Sequence, residues 1–523
     1  MEEEAVSTIT NALAAATSAA PAASVESTSA WLERFTALVD TIDGYVWGVP
    51  LIAAILLTGI LLTVLLRFRH AISLRRAFYY MFHNETGAAG EVTSFGALCT
   101  ALSATIGTGN IVGVATAIGT GGPGALFWME VAAFFGMATK YAEGLLAVKY
   151  RSIAPDGSVL GGPFYYIEKG LGRSWKWLAV LFAAFGALAG IMGIGTITQI
   201  NGITSAALRL FDPDMVHTVS LFGTPYSWAV VVSGLIVTVC VALVVIGGLK
   251  RIATVSTIVV PFMAVLYVIV CAALVLCNIR AVPHAIVLIV KAAFTPAAMT
   301  GGAVGTIFIA MQKGIARGIF SNEAGLGSAP IAAAAAQTNE PVRQGLVCMT
   351  GTFIDTIVIC TMTGLAIVLT GAWEPSLGLK GVDITIHAFQ KGLPFLSGGV
   401  SAFLLMISLA FFAFTTILGW DYYSEKCLEY LVGTGRKTPI HVYRLLYVLA
   451  VFIGPYLTVS AVWGIADIFN GLMAFPNLVA LILLSPVVYR ATREYLSRTW
   501  VNAWSFNHVM APSQDVPLHF PKK

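Results

Sequence analysis

Eleven stretches of the sequence are apolar over about the 20 residues that a helix needs to cross the hydrocarbon core of a bilayer. This repetition constrains the fold more than any other feature. The stretches cover 46–66, 93–120, 124–148, 177–208, 227–248, 252–277, 302–336, 345–370, 397–420, 441–462 and 465–489. Of 523 residues, 57% are hydrophobic and 11% charged, where an ordinary soluble domain carries about 25% charged residues. Thirty Lys and Arg with 26 Asp and Glu cannot coat the several domains into which a soluble chain of this length divides. A net charge of +4, spread along the chain, gives no footing for nucleic acid. An all-α integral membrane protein is the class that fits.

Basic residues set the orientation. With the N-terminus outside and the C-terminus inside, 21 of the 30 Lys and Arg fall on cytoplasmic stretches and six on the opposite face. The others, Lys140, Lys313 and Arg317, lie within spans. That bias predicts an N-out, C-in orientation, and the location expected for the multi-pass chain is a bacterial-type cell inner membrane. The chain then divides into an extracytoplasmic tail (1–45), a first helix with its cytoplasmic loop (46–92), two blocks of spans (93–300 and 301–490) and a cytoplasmic tail (491–523). Residues 1–30 lack the basic and compact apolar regions of a secretory signal, and a disordered or weakly helical tail is expected. The seven cysteines lie mostly within apolar runs without CxxC spacing, as small buried hydrophobes do.

Two runs are interrupted by poor helix chemistry. Gly107-Thr108-Gly109-Asn110 lies mid-run in the second span, and each glycine costs about 1 kcal/mol against alanine there. Irregular backbone at membrane depth is tolerated only where it lines a cavity or is buried in protein. Gly109 and Gly113 also form a GxxxG pair, so close helix packing is the competing reading. In the seventh span, residues 321–330 read Ser-Asn-Glu-Ala-Gly-Leu-Gly-Ser-Ala-Pro. Ser328 is placed to cap a restarted helix and Pro330 to sit in its first turn. From Gly107 to Asn322 is 215 residues, and each break opens a block of five spans. Because five is odd, spans 2–6 and 7–11 read as inverted 5+5 repeats, each with a broken first helix, preceded by one extra N-terminal helix. Such paired breaks point to the midplane site of a secondary transporter.

The run Gly121-Gly122-Pro123-Gly124-Ala125-Leu126-Phe127-Trp128-Met129, continued by Gly136-Met137-Ala138-Thr139-Lys140-Tyr141-Ala142-Glu143-Gly144, closely resembles the alanine or glycine:cation symporter family, the sodium:alanine symporters. Residues 321–330 and Phe414-Thr415-Thr416-Ile417-Leu418-Gly419-Trp420 resemble it too, as does Asp467-Ile468-Phe469-Asn470-Gly471-Leu472-Met473-Ala474-Phe475-Pro476-Asn477. Glu130 departs from the pattern, which has an aromatic residue after Trp-Met. The resemblance covers residues 45–490 or so. It implies the leucine-transporter-type fold of the amino acid–polyamine–organocation superfamily. It also implies sodium-driven uptake of a small neutral amino acid, alanine or glycine, by alternating access. Sodium is then the coupling ion and no other cofactor is expected. The partners are the amino acid, sodium and the lipid bilayer.

A zwitterion needs a positive dipole end for its carboxylate and acceptors for its ammonium. Amides at the start of a half-helix, from Thr108, Gly109 and Asn110, offer the first. Carbonyls freed at Ser321, Asn322, Glu323, Ala324 and Gly325 offer the second. Gln199, a lone amide in an apolar span, suits an interhelical hydrogen bond or the substrate. Thr416 and Trp420 lie one turn apart on one helix face. On an isolated helix Trp420 reads as an interfacial anchor; the resemblance places both residues in the pocket, where the indole leaves room for a methyl group and little more. By analogy with the fold, sodium is held by the carbonyls near Ser103 and Ile106 and the hydroxyls of Thr415 and Thr416. Back-bonding to the preceding turn is the alternative for the threonines.

Glu130, Lys140, Glu143, Lys313, Arg317, Glu323, Asp355, Asp421 and Asp467 lie at membrane depth, where ionisable residues are functional hypotheses by default. Lys140 and Glu143, spaced i, i+3, are expected to pair. Lys313 and Arg317 are expected to partner Glu323 or another buried acid, and Asp421 and Asp467 to be solvated near span ends. One rival reading is a proton-coupled symporter using Glu323 or Glu143. Another is a channel, which needs rings of carbonyls or charges from repeated subunits. No HExxH, GxSxG or Walker pattern supports an enzyme.

Overall fold

The computed structural model describes residues 22–154, 157–221, 224–295, 303–457 and 460–503; the expectations for residues 1–21 and 504–523 lie outside these. Helices dominate because a helix satisfies its backbone groups within the segment, without water. The chain opens with α1 (Ala22–Val46), α2 (Val49–Leu65) and the short amphipathic α3 (Leu74–Phe82). The second expected span is α4 (Ser94–Thr105), a wide i→i+5 turn over Gly109–Gly113, and α5 (Val114–Gly121). There follow α6 (Gly124–Lys149), α7 (Lys176–Met192), α8 (Ile197–Phe211), α9 (Trp228–Val245), α10 (Leu249–Cys277) and the shorter α11 (Val282–Phe294). Next are α12 (Ala303–Asn322), the single turn α13 (Ala329–Ala333), and α14 (Pro341–Thr352), which a wide turn over Phe353–Cys360 joins to α15 (Thr361–Thr370). Then come α16 (Val382–Gly392), α17 (Gly398–Val432), α18 (Lys437–Ile453) and α19 (Ser460–Ala503).

Among the described residues, nine helical stretches are long and apolar enough to cross a bilayer, or ten when α4 and α5, bent by 54° at their junction, count as one. The remaining expected span, the seventh (302–336), corresponds to α12, which carries Lys313 and Arg317 and is not in that set. Two boundaries differ from the sequence reading. The stretch expected as a tail is helical from Ala22, because its apolar face packs along α19, where Trp47 Nε1 donates to the Asp467 carbonyl at 2.8 Å. The single span expected over 177–208 is interrupted between α7 and α8, where Gly193 and Gly195 weaken helix propensity.

Packing inverts the soluble arrangement. Trp420, Tyr141, Tyr166, Tyr267 and Phe412 are fully enclosed, while Leu57, Val64, Leu243, Ile258 and Ile269 stand exposed, as a surface facing lipid requires. On one face, the loop before α4 pairs with the segment after α13. The Glu91 amide donates to Ala335 O at 2.8 Å and the Gln337 amide to Val92 O at 2.8 Å. The Arg151 guanidinium ties this junction together. It donates to the carbonyls of Ala334, Ala336 and Thr338 at 2.6 Å and of Ala89 at 2.7 Å.

Candidate substrate and ion site

The first break follows Thr105, where Ile106 leaves the helical region at φ −76°, ψ 94°. Asn110 holds the unwound turn by accepting the Gly107 amide on Oδ1 at 2.8 Å. The Thr108 amide donates to Gln199 Oε1 at 3.4 Å, while Gln199 Nε2 donates to the Ile194 carbonyl at 3.1 Å. Gln199 therefore bridges helices and faces the break at once. The Asn110 amide donates to the Gly107 carbonyl at 3.3 Å, so it is not one of the free half-helix donors that the sequence suggested.

The second break has left-handed backbone at Glu323 (φ 55°), Gly325 (φ 91°) and Gly327 (φ 83°). Glycine takes this conformation freely, whereas Glu323 adopts it at roughly 1–2 kcal/mol. Side chains from three other segments hold it. Asn477 Nδ2, on α19, donates to the Gly325 carbonyl at 2.9 Å and to Glu143 Oε1 at 2.7 Å. Glu143 Oε1, on α6, also accepts the Gly325 amide at 3.2 Å, and the Tyr166 hydroxyl donates to Asn477 Oδ1. Freed backbone at membrane depth is thus met by protein groups. Pro330 sits in the first turn of α13, as expected. The Ser328 hydroxyl does not cap that helix; it donates to Glu323 Oε2, because a buried carboxylate is the stronger acceptor.

Between the breaks lies a small cavity lined by Gly107, Gly109, Gln199, Glu323, Thr416 and Trp420, together with Ala104, Thr105, Ile194 and Phe320. Trp420 is fully buried and its Nε1 donates to Glu323 Oε1 at 3.0 Å. The cavity measures about 10 Å³, room for about one water molecule. An amino acid enters only if these walls move apart.

Other expected site residues point elsewhere. Asp355, in the wide turn after α14, collects Asn110 Nδ2 at 2.8 Å on Oδ1, and the Ser321 and Thr356 hydroxyls at 2.9 and 2.8 Å on Oδ2. Asn322 Nδ2 donates to Thr356 Oγ1 at 3.0 Å, and Asn322 Oδ1 accepts the Ala324 amide at 2.9 Å. Asp355 is fully buried, and no ion pair found among the described residues involves it. A dry carboxylate with hydroxyls and an amide around it has the hard-oxygen donor set that suits alkali and alkaline-earth cations. Ala324 and Gly325 do not line the cavity, and the Gly325 carbonyl is taken by Asn477. Of the proposed sodium ligands, Thr416 Oγ1 reaches the Ile106 carbonyl at 3.3 Å. The Thr415 hydroxyl donates to the Phe411 and Phe412 carbonyls at 3.1 and 3.0 Å and lies 3.3 Å from Met263 Sδ. The Ser103 hydroxyl donates to the Thr100 carbonyl at 2.8 Å. Both threonines back-bond to the preceding turn, as the alternative reading allowed.

Two expected pairings and one expected solvation are corrected. Lys140 Nζ has no hydrogen-bond partner among the described residues, because Glu143 is drawn to Asn477 and Gly325. Glu323 is partnered by Trp420 and Ser328, not by Lys313 or Arg317; Arg317 lies over the Phe320 ring at 5.6 Å and its charge acts on Asp467, so the alternative, another buried acid, holds for Arg317. Asp421 is fully buried, with neither carboxylate oxygen hydrogen-bonded among the described residues, since α17 runs on to Val432 and keeps it in the packed interior. The Asp355 cluster and the Glu143–Asn477–Tyr166 brace are what sequence reasoning missed. A lone carboxylate inside the apolar run 353–360 was the available signal for the first.

A multi-pass helical bundle with a pocket wedged between two interrupted helices defines a membrane transporter, and known proteins give the family. A sequence model of the sodium:alanine symporter family matches residues 32–504. The sodium/alanine symporter AgcS of Methanococcus maripaludis is 45% identical over 467 residues, covering 88% of this chain and 97% of the relative. An uncharacterized transporter of Haemophilus influenzae is 52% identical over 474 residues, 90% of this chain and 99% of the relative. The probable sodium/glutamine symporter GlnT of Bacillus subtilis is 37% identical over 463 residues, 88% and 90% of the respective chains. The solved structure of MhsT with L-phenylalanine shares 12% identity at a TM-score of 0.46, covering 78% of this chain and 99% of that one. The chain belongs to the sodium:alanine symporter family. It is a cation-coupled amino-acid symporter and not an enzyme.

Proposed function

We propose that the protein is a secondary active symporter that couples sodium influx to uptake of alanine or glycine by alternating access. The observation that carries this reading is the cavity closed by Trp420 between the two breaks. The backbone turn at Gly107, Thr108 and Gly109, with the Gln199 amide, receives the substrate carboxylate. Glu323 and the carbonyls of Ser321 and Asn322, at the C-terminal end of α12, receive the ammonium. The indole bounds the space left for a side chain, and the name of the M. maripaludis relative supports alanine. One sodium ion is held by Asp355, Ser321, Thr356 and Asn110. A second is held by the carbonyls of Ser103 and Ile106 with the Thr416 hydroxyl, and with the Thr415 hydroxyl once it turns from Met263. The two breaks head inverted repeats, 93–300 and 301–490, after one extra helix, and the chain lies N-out and C-in in a bacterial-type inner membrane with its tail 491–523 in the cytoplasm.

A second reading, proton coupling, is favoured by one observation, the buried Glu323 carboxylate on the cavity wall. Competition uptake separates the roles at the pocket. Trp420→Ala removes the bounding indole and is expected to let larger neutral amino acids such as leucine compete with alanine. Trp420→Phe keeps most of the bulk but leaves Glu323 Oε1 without its donor, so leucine stays excluded while alanine binds more weakly. If leucine fails to compete in a folded Trp420→Ala protein, the indole does not set substrate size.

A further inference from the structure

Away from the pocket, a second cavity lies where α2 and α19 meet one face of the bundle. Its volume is about 390 Å³, and Arg67, Arg69, Tyr489, Thr492, Arg493 and Ser497 line its polar part. A smaller inner chamber adjoins it, sharing Arg69 and Thr492 and adding His70, Ser73, Arg76 and Tyr141. No Asp or Glu is among the described residues lining either space. Backbone geometry is unusual here as well. Arg67 and Phe68 are consecutive non-glycine residues in the left-handed region, φ 52° and 58°, a conformation that disfavours side chains with a Cβ. This turn swings the chain out of α2 so that Arg67 and Arg69 face the mouth while His70 turns inward.

His70 is 2% exposed, and neither ring nitrogen has a hydrogen-bond partner among the described residues. A buried polar group left so is costly and calls for a physical explanation; here a bound ligand would complete the bond. Burial pushes its pKa down to about 4, so the ring is neutral near pH 7 and offers one donor and one acceptor. The surface leading to the cavity is apolar. On α2, Leu57, Leu61 and Val64 are exposed, followed by Phe68 and Ile72, the last at 78%. Basic residues gathered at the end of an exposed apolar helix face match a molecule with an anionic head and hydrocarbon tails. A free anion has no use for that apolar approach.

We infer that the cavity between α2 and α19 is a binding site for an anionic phospholipid. Its phosphate is held by Arg67, Arg69 and Arg493, its headgroup reaches toward His70, and its acyl chains lie along α2. The residues lie outside the substrate pocket, so the site holds whether or not the transport reading does.

Lipid binding to the full-length protein, delipidated in detergent, tests this by native mass spectrometry and thermal melting. The probes are phosphatidylglycerol, phosphatidylcholine and inorganic phosphate. Phosphatidylglycerol is expected to bind and stabilise selectively, and phosphate alone to do neither. The double variant Arg67→Gln/Arg493→Gln is expected to bind phosphatidylglycerol about thirtyfold more weakly, the size that losing two arginines against an anionic headgroup predicts. Its melting in phosphatidylcholine should match the parent, since both side chains are exposed. Arg490→Gln, a nearby basic residue outside the cavity lining, is expected to leave selectivity intact. His70→Phe, which fills the inner chamber, supplies an independent variant and should also reduce retention. Equal selectivity in the double variant and in His70→Phe, an equal loss in Arg490→Gln, or stabilisation by inorganic phosphate alone would each overturn the assignment.

Discussion

Asp355 and Glu323 are both enclosed carboxylates near the breaks, and their surroundings give them different work. Glu323 accepts from the Trp420 indole and the Ser328 hydroxyl, so its charge is already shared with neutral donors beside the cavity. Asp355 faces the Ser321 and Thr356 hydroxyls and the Asn110 amide, groups that can turn their oxygen lone pairs toward a cation. Asp355→Asn keeps the shape and removes the charge. It is expected to raise the sodium concentration giving half-maximal alanine uptake by about tenfold or more, the equivalent of about 1.4 kcal/mol. Thr416→Ala is expected to have a smaller effect of the same kind, and Thr415→Ala a smaller one still, since Thr416 alone reaches the Ile106 carbonyl. An unchanged sodium dependence in a folded Asp355→Asn protein would remove Asp355 from the ion site. What was legible at this scale follows sequence distance. The Gly-Thr-Gly-Asn and Ser-Asn-Glu breaks announce themselves because their local chemistry contradicts a helix. The partners of Asp355 are 34 and 245 residues away, so its cluster has no local pattern. Lys140 and Glu143 show the reverse: i, i+3 spacing suggested a pair, and Asn477, 334 residues away, took the carboxylate instead.

At the scale of elements, the second break is braced from α6 and α19, and the segment after α13 is tied to the loop before α4 by Arg151. Its four carbonyl contacts bind three separate stretches of chain, 89, 334–336 and 338. Charge-assisted hydrogen bonds are worth about 1.5–3 kcal/mol each, and a lysine cannot reproduce the forked guanidinium. Arg151→Lys is therefore expected to loosen this junction. Amide hydrogen exchange at Gln337 and Glu91, whose amides bond across it, should accelerate by about tenfold or more, while exchange within α6 stays as in the parent. Protection unchanged at both amides would mean that the backbone pairing holds without the arginine. Helix existence and approximate length were readable here from apolar run length alone. The interruption between α7 and α8 was not, because Gly190, Gly193 and Gly195 also suit close packing of a continuous helix.

For the whole molecule, low charge commits the chain to the bilayer, and the pocket is lined by glycine, threonine, glutamine and indole groups with a single carboxylate, Glu323, a lining that suits the proposed zwitterionic substrate. The uneven placement of the 30 cations is the basis of the proposed direction. Reporter fusions are expected to find the C-terminus in the cytoplasm and the N-terminus outside, and a cytoplasmic N-terminus would reverse the proposed topology. Coupling is tested most directly by radiolabelled alanine uptake into proteoliposomes under imposed gradients. An inward sodium gradient is expected to drive accumulation in the absence of a pH gradient, and a proton gradient without sodium to drive none. Accumulation driven by protons in sodium-free medium, with no response to sodium, would contradict sodium coupling and select the proton-coupled reading.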